Sequence, residues 1–291
     1  MTLDGELFGE LAGIVGADQV LSGEDVAGYA GDEALWVPES MPAAVVRPAS
    51  TAEVAAVVRL ASARGVPVTA RGTGTGLSGA AVPAPGGLVV SFERMAEVLE
   101  IDPANHVAVV QPGVTLAQLD EATAAHGLTY PVHPGEYGAS LGGNVATNAG
   151  GMRAVRYGVT RHHVLGLEAV LATGEVLRTG GKLVKASSGY DLTQLIVGSE
   201  GTLALVTEAT LRLYPRLAHQ ATVLAPFRTV DEVAAAVPAV VASGIGPLIL
   251  EYIDTVTMAA MTHAQDLRLG IPDEVRDGCE AYLLVMLESG H

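Results

Sequence analysis

Apolar residues recur at helical spacing in several windows, each set beside a short run of β-branched and apolar residues. Near the N-terminus, Leu7, Phe8, Leu11, Ile14 and Val15 carry the period of a helix. From Pro42 a strand–helix–strand pattern appears three times. The first has AVVRP as a strand, then a helix opened by Ser50–Glu53 with Val54, Val57, Val58 and Ala61 on one face, closed by Gly65 before VPVTA. The second has strand VAVVQP, the capping box Thr115–Gln118 and a helix through His126 with Gly127 as its cap. The third opens at Thr229–Glu232, its helix interrupted at Pro238, and leads through Gly244 and Gly246 to strand PLILEYI. LVVSF and VLEIDP read as strands, HVLGLEAVLATGEVLRTG as a hairpin turning at Thr173-Gly174, and GTLALVTEATLRLYP as paired strands. The class is α/β with strands dominating the middle. A break at 215–220 separates a first domain from a second that starts near Ala221. That second part has only one strand–helix–strand unit and the strand AYLLVMLES before His291. It is expected to be incomplete, with AYLLVMLES exposed.

Two stretches break the periodicity. Residues 134–151, PGEYGASLGGNVATNAGG, mix glycines with Ser140, Asn144, Thr147 and Asn148 and hold no Lys or Arg. Glycine makes such a run a poor helix and a poor strand. It is read instead as backbone pressed against a large ligand, with N–H groups and short side chains as donors. A flexible linker would have little use for Leu141, Val145, Ala146 and Met152. The other stretch, 71–80 (RGTGTGLSGA), matches the dinucleotide fingerprint at Gly74, Gly76 and Gly79, and Glu93 lies near the acid position. The fingerprint has to open a helix, and Pro83, Pro85, Gly86 and Gly87 leave no room for one, so an ordinary Rossmann site is excluded. No Gly-Lys-Ser/Thr follows, which excludes a Walker loop. What remains is a loop of successive N–H groups suited to a pyrophosphate, with Arg71, Thr73, Thr75 and Ser78 able to add donors. Two such loops on one α/β scaffold point to a ligand long enough to touch both, and a dinucleotide fits.

Composition narrows the classes further. The 291 residues carry 32 acidic and 16 basic side chains, a net charge of −16, which argues against nucleic acid and against an anionic membrane surface. The single cysteine, Cys279, leaves no intrachain disulfide, Cys-based zinc site or iron–sulfur cluster. MTLDGELFGE lacks a basic region followed by an apolar run and is not read as a signal peptide. No apolar run reaches transmembrane length, so a cytoplasmic protein is expected, at most peripheral to the inner membrane through partners.

In order along the chain, PVTARGTGTGLSGA, PGEYGASLGGNVATNAGGMRAVRYG, KASSGYDL and LIVGSEGTLALVTEATLRL closely resemble the FAD-linked oxidases of the vanillyl-alcohol-oxidase/PCMH fold. Within them, the resemblance is to the group of glycolate oxidase large subunits and D-lactate or D-2-hydroxyglutarate dehydrogenases. The match spans roughly residues 40–215. It implies a PCMH-type FAD-binding domain of two α+β subdomains (41–217) with FAD held between them, and beside the periodicity reading it leaves an N-terminal helical segment (1–40) and the start of an α/β substrate or cap domain (218–291). It further implies that Arg71, Gly72, Thr73, Gly74, Thr75, Gly76, Leu77, Ser78 and Gly79 wrap the FAD pyrophosphate. By the same resemblance Pro134, Gly138, Ala139, Ser140, Gly142, Gly143, Asn144, Thr147 and Asn148 line pyrophosphate, ribose and flavin, and Gly150, Gly151, Tyr157 and Gly158 continue that wall. Glu200, Gly201 and Val206 close over the cofactor. Members with covalent flavin carry a His in the first loop where this chain has Thr75, so non-covalent FAD is expected.

In the resembling enzymes the C2 hydrogen of a D-2-hydroxyacid leaves as hydride to flavin N5 while a base takes the hydroxyl proton. Their His- and Asn-containing metal and catalytic motif lies beyond the end of this chain, so no catalytic residue and no metal ligand is assigned. Arg153, Arg156, Arg161 and the pair His162-His163 are candidates only by charge. Adjacent histidines on a strand point to opposite faces, and the pair is expected near the surface. Expected partners are a small 2-hydroxyacid and an electron acceptor (quinone, electron-transfer protein or oxygen), with partner subunits or a homodimer compatible. A non-catalytic FAD-binding electron-relay subunit is the alternative, as is another alcohol or sugar oxidase, or a non-redox flavoenzyme, of the same fold.

Overall fold

The computed structural model describes residues 4–264 and 270–290. The chain forms two units, residues 1–149 with 159–215, and residues 150–158 with 216–291.

The first unit begins with α1 (Gly5–Val15), whose Leu7, Leu11 and Val15 are buried as their spacing requires. Strand β1 (Val20–Leu21) runs antiparallel to β2 (Ala44–Val46), and the 3-10 turn Gly23–Tyr29 lies between them. Residues 1–40, read as a helical segment, also contribute β1 and share a sheet and a core with the rest of the unit. Helix α2 (Thr51–Arg64) is capped by Ser50, which accepts from the Glu53 N–H, and ends at Gly65 with φ 64°. Strands β3 (Val68–Arg71) and β4 (Leu88–Ser91) pair in parallel, giving the sheet order β1-β2-β4-β3. A parallel pair cannot be closed by a tight turn. Residues 72–87 therefore form a long crossover, although no helix interrupts it.

A second sheet follows, from β5 (Val98–Asp102) and β6 (Val107–Val110). Helix α3 (Leu116–Ala124) starts with the full Thr115–Gln118 capping box and stops two residues short of His126. Short β7 (Leu128–Thr129) leads to α4 (Leu141–Thr147). The excursion 150–158, with α5 (Ala154–Tyr157), packs with the second unit. Strands β8 (Val164–Leu171) and β9 (Val176–Gly180) form the expected hairpin, with Gly174 at φ 78°. Beyond α6 (Leu192–Ile196), β10 (Ala204–Arg212) is one continuous strand rather than a pair. It lies between β6 and β8 in the order β5-β6-β10-β8-β9, and β11 (Tyr214–Pro215) turns away to pair with β7. The near-continuous burial of β10 is that of a central strand covered on both faces.

One core joins α1, α2 and the first sheet and takes in Val170 and Leu205 from the second sheet. Another packs α3 and α4 against β6, β8 and β10. The two sheets are therefore locked together through β8 and β10. The carboxylate of Glu168 on β8 reinforces this, accepting from Thr51 Oγ1 at the start of α2 (2.5 Å) and from Thr207 Oγ1 (3.1 Å) and pairing with Arg178.

In the second unit β12 (His219–Phe227), α7 (Val230–Ala242), β13 (Ile249–Asp254), α8 (Thr255–Ala264), α9 (Asp273–Asp277) and β14 (Ala281–Ser289) follow in order. Helix α7 runs through Pro238, contrary to the expected interruption, and lays Val233, Ala236 and Val237 against Ala281, Leu283 and Val285. The sheet order is β12-β14-β13. AYLLVMLES, expected to be exposed, is instead the central strand, with both hydrogen-bonding edges paired and its first three residues buried. The terminal His291 lies outside the described residues.

Candidate functional site

The two glycine stretches, far apart in sequence, meet at Ser140. Its N–H donates to Thr73 Oγ1 at 3.2 Å, and a Cβ at Gly72 would overlap its hydroxyl. The third motif joins them, because Ser78 Oγ donates to the Glu200 carboxylate at 3.3 Å and the Glu200 N–H donates to the Ala146 carbonyl at 2.8 Å. Glu200 holds φ 52° and Gly201 follows at 76°. A non-glycine residue in that left-handed region costs about 1–3 kcal/mol and persists where the surroundings fix it, often at functional sites.

The second stretch departs from the expectation of an irregular run, because residues 141–147 form helix α4. Ser140 caps it by accepting from the Gly143 N–H, and Leu141 and Val145, four apart, are fully buried. Two glycines in a helix cost about 1 kcal/mol each relative to alanine. Close approach explains Gly142. Its N–H donates to the Pro112 carbonyl at 2.8 Å, and a Cβ there would lie 2.5 Å from the Pro112 ring. Asn144 Nδ2 donates to the Ser140 carbonyl and Thr147 Oγ1 to the Gly143 carbonyl, so both are partly spent inside the helix. Asn148, at φ 50°, ends the helix and accepts from the Arg161 N–H. Ahead of it, Pro134 opens the 134–140 segment, where Glu136 folds back on the Gly138 N–H and Ala139 is buried.

A cleft open in part to solvent lies between these segments. Its floor is small, from Gly72, Gly142, Gly143, Ala146 and Gly201. Apolar Phe92, Pro112, Ile196, Leu205 and Val206 line it as well, with Arg71 and Ser199 among its polar residues. Among the described residues, the N–H groups of 72–80 donate to no protein acceptor, which leaves a run of free donors along the first loop. Small and apolar walls beside free neutral donors fit a cofactor with a flat ring system and a pyrophosphate. Residues that the sequence left out, such as Phe92, Pro112 and Ile196, are ordinary apolar positions whose role depends on what the fold brings beside them.

Arg71, which also lines the cleft, has its guanidinium engaged by backbone carbonyls. It is 9% exposed, and its guanidinium donates to the carbonyls of Gly31 (2.5 Å) and Gly28 (3.2 Å), with its centre 5.5 Å from the Tyr29 ring. Burial lowers its pKa, an effect that the neighbouring Tyr29 and Asp32 oppose.

Gly150, Gly151, Tyr157 and Gly158 fall in the second unit, where the Tyr157 hydroxyl donates to Glu288 at 2.8 Å. Arg156 pairs with the same carboxylate at 3.3 Å and lies over the Tyr157 ring, so its charge is already engaged. The adjacent histidines part company. His162 accepts from the Val159 N–H, whereas His163, expected near the surface, is 1% exposed between the rings of Tyr130 and Tyr214. Burial raises the Tyr130 pKa well above its ordinary value. Among the described residues no three His, Cys, Asp or Glu converge on a point, and no helix is long and apolar enough to cross a membrane.

Comparison with known proteins agrees with this geometry. Residues 42–180 match the FAD binding domain family and residues 216–291 the FAD linked oxidases, C-terminal domain. An uncharacterized FAD-linked oxidoreductase of Mycobacterium tuberculosis is 61% identical over 98% of this chain and 62% of its own length. A D-lactate dehydrogenase of Archaeoglobus fulgidus is 46% identical over 84% of this chain and 54% of its own. The chain therefore spans little more than half the length of these relatives. The structure of p-cresol methylhydroxylase superposes with a TM-score of 0.83 at 21% identity, over 99% of this chain and 62% of that one, a likeness of fold. With both family models matched in order over the two units, the chain belongs to the FAD-linked oxidases of the vanillyl-alcohol-oxidase/PCMH fold.

Proposed function

We propose that the cleft of the first unit holds FAD non-covalently and that the protein oxidises a D-2-hydroxyacid of the glycolate, D-lactate or D-2-hydroxyglutarate type. The observation that carries the reading is the meeting of both glycine loops at Ser140 beside a small-floored, apolar-walled cleft. Gly72, Thr73, Gly74, Thr75, Gly76, Leu77, Ser78 and Gly79 offer N–H and hydroxyl donors to the pyrophosphate, and Ser140, Gly142 and Gly143 face them from α4. Phe92, Ile196, Leu205 and Val206 exclude water from the ring system. Glu200 and Gly201 fix the far side through Ser78 and Ala146. FAD bound there would supply the two-electron, hydride-accepting chemistry of the oxidation.

Non-covalent attachment follows from Thr75, which offers no nucleophilic ring nitrogen at the first-loop position where members with covalent flavin carry a His. Gly150, Gly151, Tyr157 and Gly158 remain proposed contributors to the cofactor wall by family position. The electron acceptor belongs to the class of quinones, electron-transfer proteins or oxygen.

The visible spectrum of the purified chain, before and after acid precipitation, tests the reading. Flavin bands that pass into the supernatant, and bleach when D-2-hydroxyacids are added anaerobically to the full-length protein, are the expected result. Flavin retained in the pellet would overturn the non-covalent assignment. A protein that neither carries nor takes up FAD would overturn the site.

A further inference from the structure

The first glycine loop is held from outside by a segment that the matched FAD binding domain, residues 42–180, does not include. The Glu33 N–H donates to the Gly76 carbonyl at 2.9 Å. Asp32 accepts from Ala34 at 3.1 Å and from Ala81, at the loop's far end, at 3.5 Å. Gly79, at φ 83°, passes so close to Val37 that a Cβ would lie 2.8 Å from its methyl group. Gly74, at φ 77°, turns over the Arg71 guanidinium so closely that a Cβ would overlap it. Tyr29 lies against Arg71 and is itself anchored, its hydroxyl donating to Glu93 at 2.9 Å, where Arg47 also pairs at 3.0 Å.

Arg71 is the only cation in the two glycine stretches, 71–80 and 134–151. An arginine that bound the phosphate would aim its fork at the same oxygens that the loop's free N–H groups serve, yet both terminal nitrogens of Arg71 donate to carbonyls of residues 28 and 31. We infer that Arg71 is a positioning residue that fastens the 28–37 segment to the first glycine loop, and that the FAD pyrophosphate is held there by neutral donors alone. This rests on the FAD reading above.

FAD titration of the apoprotein, followed by flavin fluorescence at low and high salt, tests it. With neutral donors the wild-type affinity should not fall between about 0.05 and 0.5 M salt, because no ion pair is there to be screened and the chain's net charge of −16 only repels the pyrophosphate. Arg71→Lys keeps the charge but lacks the planar fork whose two terminal nitrogens reach the two carbonyls separately, and is expected to weaken FAD binding about tenfold with the same salt response. Where Arg71→Lys fails to fold, Tyr29→Leu serves instead, since it loosens the clamp and leaves the cation in place, with the same weakening expected. A wild-type affinity that falls steeply with salt, or wild-type affinity in whichever variant folds, would overturn the inference while leaving the FAD site standing. Absence of FAD binding by the wild type would overturn both.

Discussion

Replacing Gly142 with alanine tests how tightly α4 is seated. Its Cβ would lie 2.5 Å from the Pro112 Cβ, 2.9 Å from the Pro112 carbonyl oxygen and 3.1 Å from its Cα. A proline ring and backbone cannot swing aside as a long side chain can, so the helix itself must shift. Overpacking of this kind typically costs about 1–3 kcal/mol, against roughly 1 kcal/mol gained from the better helix propensity of alanine. A net loss of up to about 2 kcal/mol follows, and with about 2–4 °C per kcal/mol the thermal midpoint of the apoprotein should fall by several degrees. Because the Gly142 N–H is bonded to the Pro112 carbonyl at 2.8 Å, the shift also lengthens that bond and moves Ser140 away from Thr73. FAD affinity should therefore fall together with stability, read by titration of the same sample that gives the melting curve. A G142A protein that melts at or above the wild-type temperature and binds FAD normally would refute the close-approach account of this glycine.

Gly143→Ala should separate the two effects. Its Cβ meets only the Ser140 hydroxyl, at 3.1 Å, while the residue lines the cleft, so the expected result is little change in apoprotein stability and FAD binding weakened about tenfold. Glu208 faces Glu168 directly across β10 and β8, and its pKa is raised first by burial and then by that neighbouring carboxylate. A raised carboxylate costs folding stability as pH rises above the unfolded value, the loss being complete above the folded pKa. Glu208→Gln should therefore stabilise the protein at pH 7, by up to about 1 kcal/mol. The gain should fade as the pH falls toward the ordinary glutamate range. A gain equal at both ends of a pH series of melting curves would exclude like-charge repulsion as its cause.

The sequence by itself determined the local elements wherever one signal acts within one element. Ser50, Thr115 and Thr229 cap helices because a side-chain oxygen three residues upstream of an N–H satisfies it whatever surrounds it. Thr173-Gly174 closes a hairpin for an equally local reason. The motif order carried the family and the cofactor, since each glycine stretch keeps its type wherever the fold places it. Tertiary structure decided what depends on a distant partner. The stretch LGGNVAT is a helix because Leu141 and Val145 find a core, and Pro112 comes close enough to need glycine at position 142. AYLLVMLES is central rather than exposed because β12 and β13 take both of its edges. Arg71 looks like a phosphate ligand until the carbonyls of Gly28 and Gly31, some forty residues upstream, are brought within hydrogen-bond distance of it. Hydrogen bonds between neighbours in sequence are nearly fixed by the residues themselves. Those between segments far apart exist only once the whole chain has paid the entropy of bringing them together.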